Sequence, residues 1–145
     1  MAIRVLALDL ERTLISDANR ADPRPGLSAF LAFCHARFER VVLFTTVEEP
    51  DARDALDRLI THNHIPAELL TPLGYVPWVG EHKDLAFVAG AAPEEVLLVD
   101  DDAGWVRPDQ RDRWIAIEPW DGGADRELAR VQHVLAERLE AEGRP

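Results

Sequence analysis

The sequence contains only one cysteine, Cys34, among its 145 residues. The chain can therefore form no internal disulfide and offers no thiolate cluster for zinc. It also lacks an apolar run of about 20 residues, the length that a membrane-spanning helix needs. Basic residues are relatively few. The chain has 16 Lys and Arg and 27 Asp and Glu, which gives a net charge of -11. Such a surface repels nucleic-acid phosphates and anionic lipids, so we expect no nucleic-acid or membrane partner.

The composition is that of a folded protein. Apolar residues make up 47% of the chain and charged residues 30%, which excludes a disordered or low-complexity polymer. The length is typical of one domain and no linker or repeat divides it, so we expect a single domain over 1–145. The opening residues enter a strand-like pattern without the charged-then-apolar pattern of a secretory leader, and we therefore expect a cytoplasmic protein.

Short apolar runs bounded by polar or turn residues predict buried strands. They cover residues 3–10, 41–44, 96–99 and 114–117, with a weaker pattern over 75–79. Apolar residues at helical spacing predict helices after residue 26, from Pro50, over 84–89 and from Asp125, which can cap the last one. Strands that alternate with amphipathic helices predict right-handed βαβ units. We expect an α/β fold with a three-layer, doubly wound, mostly parallel sheet.

Acidic residues follow directly after two of the predicted strands. Asp9 and Glu11 come after the first strand, and Asp100 and Asp101 come after the strand over 96–99. The carboxyl ends of parallel strands form the ligand crevice of an open α/β sheet, so neighbouring strands would bring these carboxylates together. Like charges at short range destabilise a fold unless a cation compensates them. Oxygen ligands favour Mg²⁺, whose bound charge also allows a phosphorylated substrate on an acidic protein.

Two further polar residues belong to the same predicted crevice. Thr45 follows the second strand, and Lys83 precedes the strand over 96–99. An aspartate nucleophile, a hydroxyl, a lysine and a magnesium site together are typical of phosphoryl transfer. In this interpretation Asp9 attacks phosphorus to give an aspartyl-phosphate, and Glu11 protonates the leaving oxygen and then activates water. Mg²⁺, Lys83 and Thr45 neutralise the phosphoryl oxygens.

The motifs and their order resemble a known superfamily. They are Asp9-Leu10-Glu11-Arg12-Thr13-Leu14, Arg24-Pro25-Gly26-Leu27, Val42-Leu43-Phe44-Thr45, Lys83-Asp84-Leu85 and Val96-Leu97-Leu98-Val99-Asp100-Asp101. This order resembles the haloacid dehalogenase (HAD) superfamily and, within it, the NIF/FCP-type branch of CTD-phosphatase-like domains. The resemblance runs from Ile3 to about Leu139. It implies a HAD-like Rossmannoid fold without a large cap domain, and phosphatase activity.

The resemblance also implies roles for residues around a Mg²⁺ ion. Asp9 would be both the nucleophile and a metal ligand, and Asp101 would be a second ligand. Glu11 would contribute its backbone carbonyl to the metal. Lys83 would contact the phosphate while paired with the supporting Asp100. A phosphorylated small molecule or a phosphoprotein would be the substrate.

The resemblance in the second motif implies that Thr45 would hydrogen-bond a phosphate oxygen. The chain departs from the family pattern at Glu11, where the family has Asp. The extra methylene shifts the carboxyl group by an amount that can cost about a hundredfold in rate. A catalytically degenerate HAD-like module used for protein interaction is therefore the alternative. A phospho-receiver domain is disfavoured, because receivers have their paired acids after the first strand and this chain has them late.

Overall fold

The computed structural model describes residues 2–143. Met1 and residues 144–145, the ends of the predicted domain over 1–145, lie outside the described part. The strands are β1 (Val5–Leu8), β2 (Arg40–Leu43), β3 (Gly74–Tyr75), β4 (Val96–Asp100) and β5 (Trp114–Ala116). They form one sheet in the order β3-β2-β1-β4-β5, and every pair is parallel. The predicted α/β fold with a parallel sheet is confirmed.

Four α-helices connect or follow the strands. They are α1 (Leu27–Arg37), α2 (Glu49–Thr61), α3 (Ala67–Leu70) and α4 (Glu127–Ala141). The segment predicted as a helix over 84–89 contains only a 3-10 turn, Leu85–Phe87. Asp84 caps this turn, because its side chain accepts a hydrogen bond from the Ala86 N–H. The last helix begins two residues later than predicted. Asp125 accepts a hydrogen bond from the Glu127 N–H at 3.1 Å, but its carboxylate also pairs with an arginine described below.

Successive residues of each strand point to opposite faces of the sheet, and the two faces carry different layers. Leu6 and Leu8 belong to the larger core, which also contains the buried side chains of all four α-helices. Val5 and Ala7 belong to the smaller core, whose other members include Val106 and Leu85 of the 3-10 turn at 85–87. The third layer therefore consists of short turns and loops.

The described residues 2–143 contain neither a cap domain nor a helix that could span a membrane. The connections between strands carry the short helices and turns already named and no inserted domain. No helix in this part of the chain combines the length and the apolar character that crossing a membrane requires. The crevice at the carboxyl edge of the sheet is consequently open, as expected for a HAD-like fold without a cap.

The strand register aligns the residues that follow β1, β2 and β4. Leu8 of β1 is level with Leu43 on one side and Val99 on the other. The ladder continues by one residue on each side, because the Asp9 N–H donates to the Val99 carbonyl at 3.0 Å and the Phe44 N–H donates to the Leu8 carbonyl at 2.8 Å. Asp9 therefore leaves the central strand with the acidic end of β4 on one side and the end of β2 on the other.

A buried arginine ties the turn after β1 to the start of α4. The Arg24 side chain is 0% exposed and pairs with both carboxylate oxygens of Asp125, at 2.8 and 3.1 Å. Its remaining N–H groups donate to the carbonyls of Arg12 at 3.1 Å, Thr13 at 3.2 Å and Glu118 at 2.6 Å. The Arg24 side chain thus binds all of these acceptors at once. Since two of them are the backbone carbonyls of Arg12 and Thr13, Arg24 holds the backbone of the motif that begins at Asp9.

We expect Asp125→Ala to destabilise the protein by about 3 kcal/mol, because it leaves the buried Arg24 charge without its carboxylate. Asp121→Ala is the matched control, since Asp121 also pairs with an arginine 101 residues earlier, Arg20, but on the exposed surface. Exposed ion pairs contribute little, so this variant should unfold close to the wild type. Urea denaturation measures both, and equal midpoints for the two variants would contradict the assigned role of Arg24.

Candidate active site

Lys83 is the buried cation at the centre of the site. Its side chain is 1% exposed, and its Nζ lies 2.9 Å from Asp9 Oδ1 and 2.5 Å from Asp100 Oδ2. Burial by itself lowers the pKa of Lys83, but the attraction of Asp9 and Asp100 outweighs it and the net pKa is raised. The ammonium group is therefore charged at neutral pH. Its backbone is held by an N–H donated to the Trp105 carbonyl at 2.8 Å.

Thr13 links the nucleophile candidate to the next carboxylate. Its hydroxyl donates to Asp9 Oδ2 at 2.8 Å, and the same oxygen lies 3.5 Å from Asp101 Oδ1. Carboxylate oxygens of Asp9, Asp100 and Asp101 all lie within 4.8 Å of one another. Arg12 contributes only a distant charge, with its Nε 3.9 Å from Asp101 Oδ2 and its side chain half exposed. Three of the four acids predicted to converge, Asp9, Asp100 and Asp101, thus do so around Lys83 and Thr13, whereas the Glu11 carboxylate does not.

The cluster carries more negative charge than Lys83 neutralises. Burial, followed by repulsion from Asp9, raises the pKa of Asp100 to about 6, although Lys83 opposes this shift. Burial, a hydrogen bond with Asp9 and repulsion from both neighbouring acids raise the pKa of Asp101 to about 7. An additional cation would remove this repulsion. A set of three carboxylates with no nitrogen or sulfur donor is typical of a magnesium site.

The Glu11 carboxylate is not part of this cluster among the described residues. Its Oε2 accepts a hydrogen bond from the Ala18 N–H at 2.8 Å, so the side chain is turned towards the loop that follows the motif. Only one carboxylate oxygen is engaged by this contact, and the side chain is half-buried. Neither the acid/base role of Glu11 nor the metal contact of its backbone carbonyl is tested by this geometry, and both stay predictions.

Thr45 lies at the same edge of the sheet, directly after β2. It is 1% exposed, and its Oγ1 accepts a hydrogen bond from the Val47 N–H at 3.1 Å. The hydroxyl keeps its own proton for donation to another group. Thr45 also lines a surface groove of about 370 Å³ whose walls include Trp78 and Trp105. The structure thus places Thr45 between the sheet edge and an aromatic surface.

The family model of NLI interacting factor-like phosphatases matches residues 4–143. The chain belongs to this family. Comparison with curated proteins gives no match. The family match confirms the HAD-like, NIF/FCP-type resemblance and identifies the chain as a member of a phosphatase family, whose substrates are phosphorylated. Every residue predicted for the site lies within the matched segment, from Asp9 to Asp101.

The sequence patterns do not predict a role for three residues of this NLI interacting factor-like phosphatase. Thr13 is the only residue with a hydroxyl group in the first motif, and this feature of the sequence could have indicated its role. Arg24 resembles a turn residue, since arginines are rarely buried and nothing local indicates a partner 101 residues away. Trp78 belongs to a turn-rich segment with weak strand character. The contacts of Arg24 and Trp78 arise only when distant segments pack together, whereas Thr13 binds Asp9, four residues earlier in the chain.

We expect Asp101→Asn to stabilise the chelator-treated protein at pH 8 and to have little effect at pH 4. A folded pKa of about 7 lies above the ordinary 3.8, so the contribution of Asp101 to stability is lost as pH rises between these values. The Asn side chain of the variant carries no charge across this pH range, so the variant does not lose this stability. Thermal unfolding across this range, in chelator and then with Mg²⁺, measures the effect, and Mg²⁺ should stabilise the wild type more than the variant.

Asp102→Asn is the control, because Asp102 is the exposed neighbour of the cluster and its Oδ1 accepts a hydrogen bond that an amide oxygen can also accept. It should show no pH-dependent gain. A gain of the same size in Asp102→Asn would attribute the effect to net charge and not to the cluster of Asp9, Asp100 and Asp101.

Proposed function

We propose that this protein is a Mg²⁺-dependent phosphomonoester hydrolase that forms an aspartyl-phosphate on Asp9. The observation that carries the proposal is the orientation of the Asp9 carboxylate, which receives Lys83 on one oxygen at 2.9 Å and Thr13 on the other at 2.8 Å. A nucleophile held on both sides is positioned before substrate binds, which lowers the entropic part of the barrier. Membership in a phosphatase family supports the same reaction class.

In the first half-reaction an Asp9 oxygen forms a bond to phosphorus while the bond between phosphorus and the ester oxygen breaks. The leaving oxygen takes a proton from Glu11, so the alcohol departs neutral. In the second half-reaction Glu11 accepts a proton from water, whose oxygen attacks the same phosphorus and releases Asp9 and inorganic phosphate. Lys83 and the Thr45 hydroxyl bind phosphoryl oxygens as their charge changes.

Asp9 and Asp101, with the backbone carbonyl of Glu11, are the residues that would hold Mg²⁺. The fit is supported by the all-oxygen donor set and by the raised pKa values of Asp100 and Asp101, to which burial contributes most and repulsion between the neighbouring carboxylates also contributes. When bound, the ion supplies positive charge next to the phosphoryl oxygens. Asp100 has a different role, because its pairing with Lys83 at 2.5 Å keeps the lysine directed at the site.

The Ala18 contact is compatible with an acid/base role for Glu11. A backbone N–H that donates to Oε2 restricts the carboxyl group and leaves Oε1 for proton transfer to substrate. The alternative of a degenerate interaction module is not favoured by membership in a phosphatase family. In this proposal the extra methylene of Glu11 changes how far its carboxyl group extends, and the hydrogen bond from the Ala18 N–H holds the longer side chain in place.

We expect the wild type to hydrolyse phenyl phosphate in Mg²⁺, and chelation or Asp9→Asn to lower kcat by at least about a thousandfold, the scale on which loss of a nucleophile acts. Phosphate on Asp9 should be trapped by rapid acid quench and located by mass spectrometry after proteolysis. Asp102→Asn serves as the charge-matched control and should retain activity. Turnover that survives both the chelator and the Asp9 substitution would rule out this mechanism.

We expect Glu11→Gln to lower kcat for phenyl phosphate by about 10² to 10⁴, the usual contribution of a general acid or base. The amide oxygen can still accept the Ala18 N–H, so the loop is preserved while proton transfer is lost. The drop should be smaller in the first half-reaction for 4-nitrophenyl phosphate, whose leaving group needs little protonation. Single-turnover kinetics separates this step from the second. A rate increase in Glu11→Asp would instead favour the degenerate module.

A further inference from the structure

An aromatic groove adjoins the proposed phosphate site. We define it by six of its lining residues, which are Thr45, Glu48, Tyr75, Trp78, Val79 and Trp105. Its volume is about 370 Å³, and Val79 is 77% exposed within it. A cavity of about 150 Å³ suffices for a benzene ring, so the groove has room for an arene and a substituent. Of its six defining residues the proposed chemistry uses only Thr45, while Tyr75 and Trp78 also pack partly against the cores.

The groove is connected to the residues proposed to bind phosphate. The Trp78 indole N–H donates to the Thr45 carbonyl at 2.8 Å. The Lys83 N–H donates to the Trp105 carbonyl at 2.8 Å. Each tryptophan is therefore joined by one hydrogen bond to a phosphate-binding candidate, Trp78 through its indole and Trp105 through its backbone carbonyl. A group esterified to a phosphate at Thr45 and Lys83 can extend into the groove along the faces that the two tryptophans expose there.

The aromatic wall of the groove is rigid. Trp78 packs edge-to-face between Phe44 and Trp105, with ring centroids 5.7 and 5.8 Å apart and interplanar angles of 65° and 80°. Phe44 is fully buried, whereas Trp78 and Trp105 are half-buried and face the groove. Tyr75 is also fixed, by a hydrogen bond from its hydroxyl to the Val47 carbonyl at 2.6 Å. A rigid aromatic surface binds another arene without a large loss of side-chain entropy.

The charge of the groove selects among aromatic ligands. Among the described residues, Glu48 is the one charged residue that lines the groove, and no lysine or arginine lines it. Burial raises the pKa of the Tyr75 hydroxyl, and the negative charges of Glu49 and Glu48 raise it further. A leaving group with a second phosphate or a carboxylate would be repelled. A neutral or cationic arene fits this potential.

We propose that the aromatic groove makes aryl phosphomonoesters, with a neutral or cationic arene, the preferred substrate class, and that Trp105 is a specificity-determining residue. The inference rests on the proposed phosphatase function. The arene packs against Trp105 and Trp78 while its phosphate occupies the site between Thr45 and Lys83. The ester oxygen that joins the two then lies at the boundary between the groove and the acidic cluster.

Trp105→Leu tests the proposal, because it removes the ring and keeps an apolar side chain. The backbone carbonyl that holds Lys83 is unchanged. We expect kcat/KM for phenyl phosphate to fall about three- to tenfold relative to that for ethyl phosphate, as expected for an aromatic pair. The ratio between variant and wild type is taken for each ester separately, since the two esters differ in intrinsic reactivity.

Phe87→Leu is the matched control, because Phe87 is an aromatic residue, 37% exposed, that does not line the groove. Its specificity ratio should equal that of the wild type. A second arm uses Glu48→Gln with aryl phosphates that carry either a para-carboxylate or a para-aminomethyl group. The wild type should prefer the cationic ester, and the substitution should reduce that preference.

Titration calorimetry with phenylphosphonate and methylphosphonate, which are not hydrolysed, separates this inference from the proposed function. We expect phenylphosphonate to bind the wild type more tightly, and Trp105→Leu to reduce the difference three- to tenfold. If no ester is hydrolysed but this difference is found, the groove is supported and the phosphatase proposal fails. If the two phosphonates bind equally, or Trp105→Leu weakens both equally, the groove inference is overturned.

Discussion

One buried ammonium group, that of Lys83, holds two carboxylates at the carboxyl edge of the sheet. The parallel register of β1 and β4 forces Asp9 and Asp100 into proximity, and Asp101 follows immediately. Without Lys83 the charges would repel one another in a buried position, at a large cost to folding. Lys83 compensates only part of that charge, and the rest remains as carboxyl groups whose pKa values are raised. A site in this electrostatic state is suited to a divalent cation and an anionic phosphoryl group.

The turn after β1 joins this chemistry to the stability of the fold. Thr13 is held by its carbonyl to Arg24 and, through its hydroxyl, orients Asp9. Arg24 is in turn held by Asp125 at the start of α4, so the last helix of the described chain supports the first motif. Glu11 lies on the same turn, and its carboxylate accepts a hydrogen bond from the Ala18 N–H. A change in this support would therefore alter the position of Asp9, the proposed nucleophile, without a direct contact to it.

In the proposed function, phosphate binding and leaving-group binding use different parts of the molecule. The phosphate side is polar and buried, with Lys83 and Thr45 directed to the edge of the sheet. The leaving-group side is aromatic and partly exposed, with Trp78 and Trp105 on loops after β3 and β4. Because loops lie outside the sheet, their side chains can differ among members of one phosphatase family while the strand ends keep their chemistry. Glu48 adds a negative charge to this aromatic surface and has no role in the proposed chemistry of the buried site.

The sequence by itself determined the alternation of strands and helices, the parallel sheet, and the acids at the ends of β1 and β4, because these depend on local periodicity and on short motifs. The tertiary structure alone decided which way the Glu11 carboxylate turns, that Arg24 is buried against Asp125, and that residues 85–87 form a single 3-10 turn where a longer helix was predicted. It also brought together Thr45, Trp78 and Trp105 in one groove. Side-chain direction and burial depend on which distant segments pack together, and local sequence patterns carry no information about those contacts.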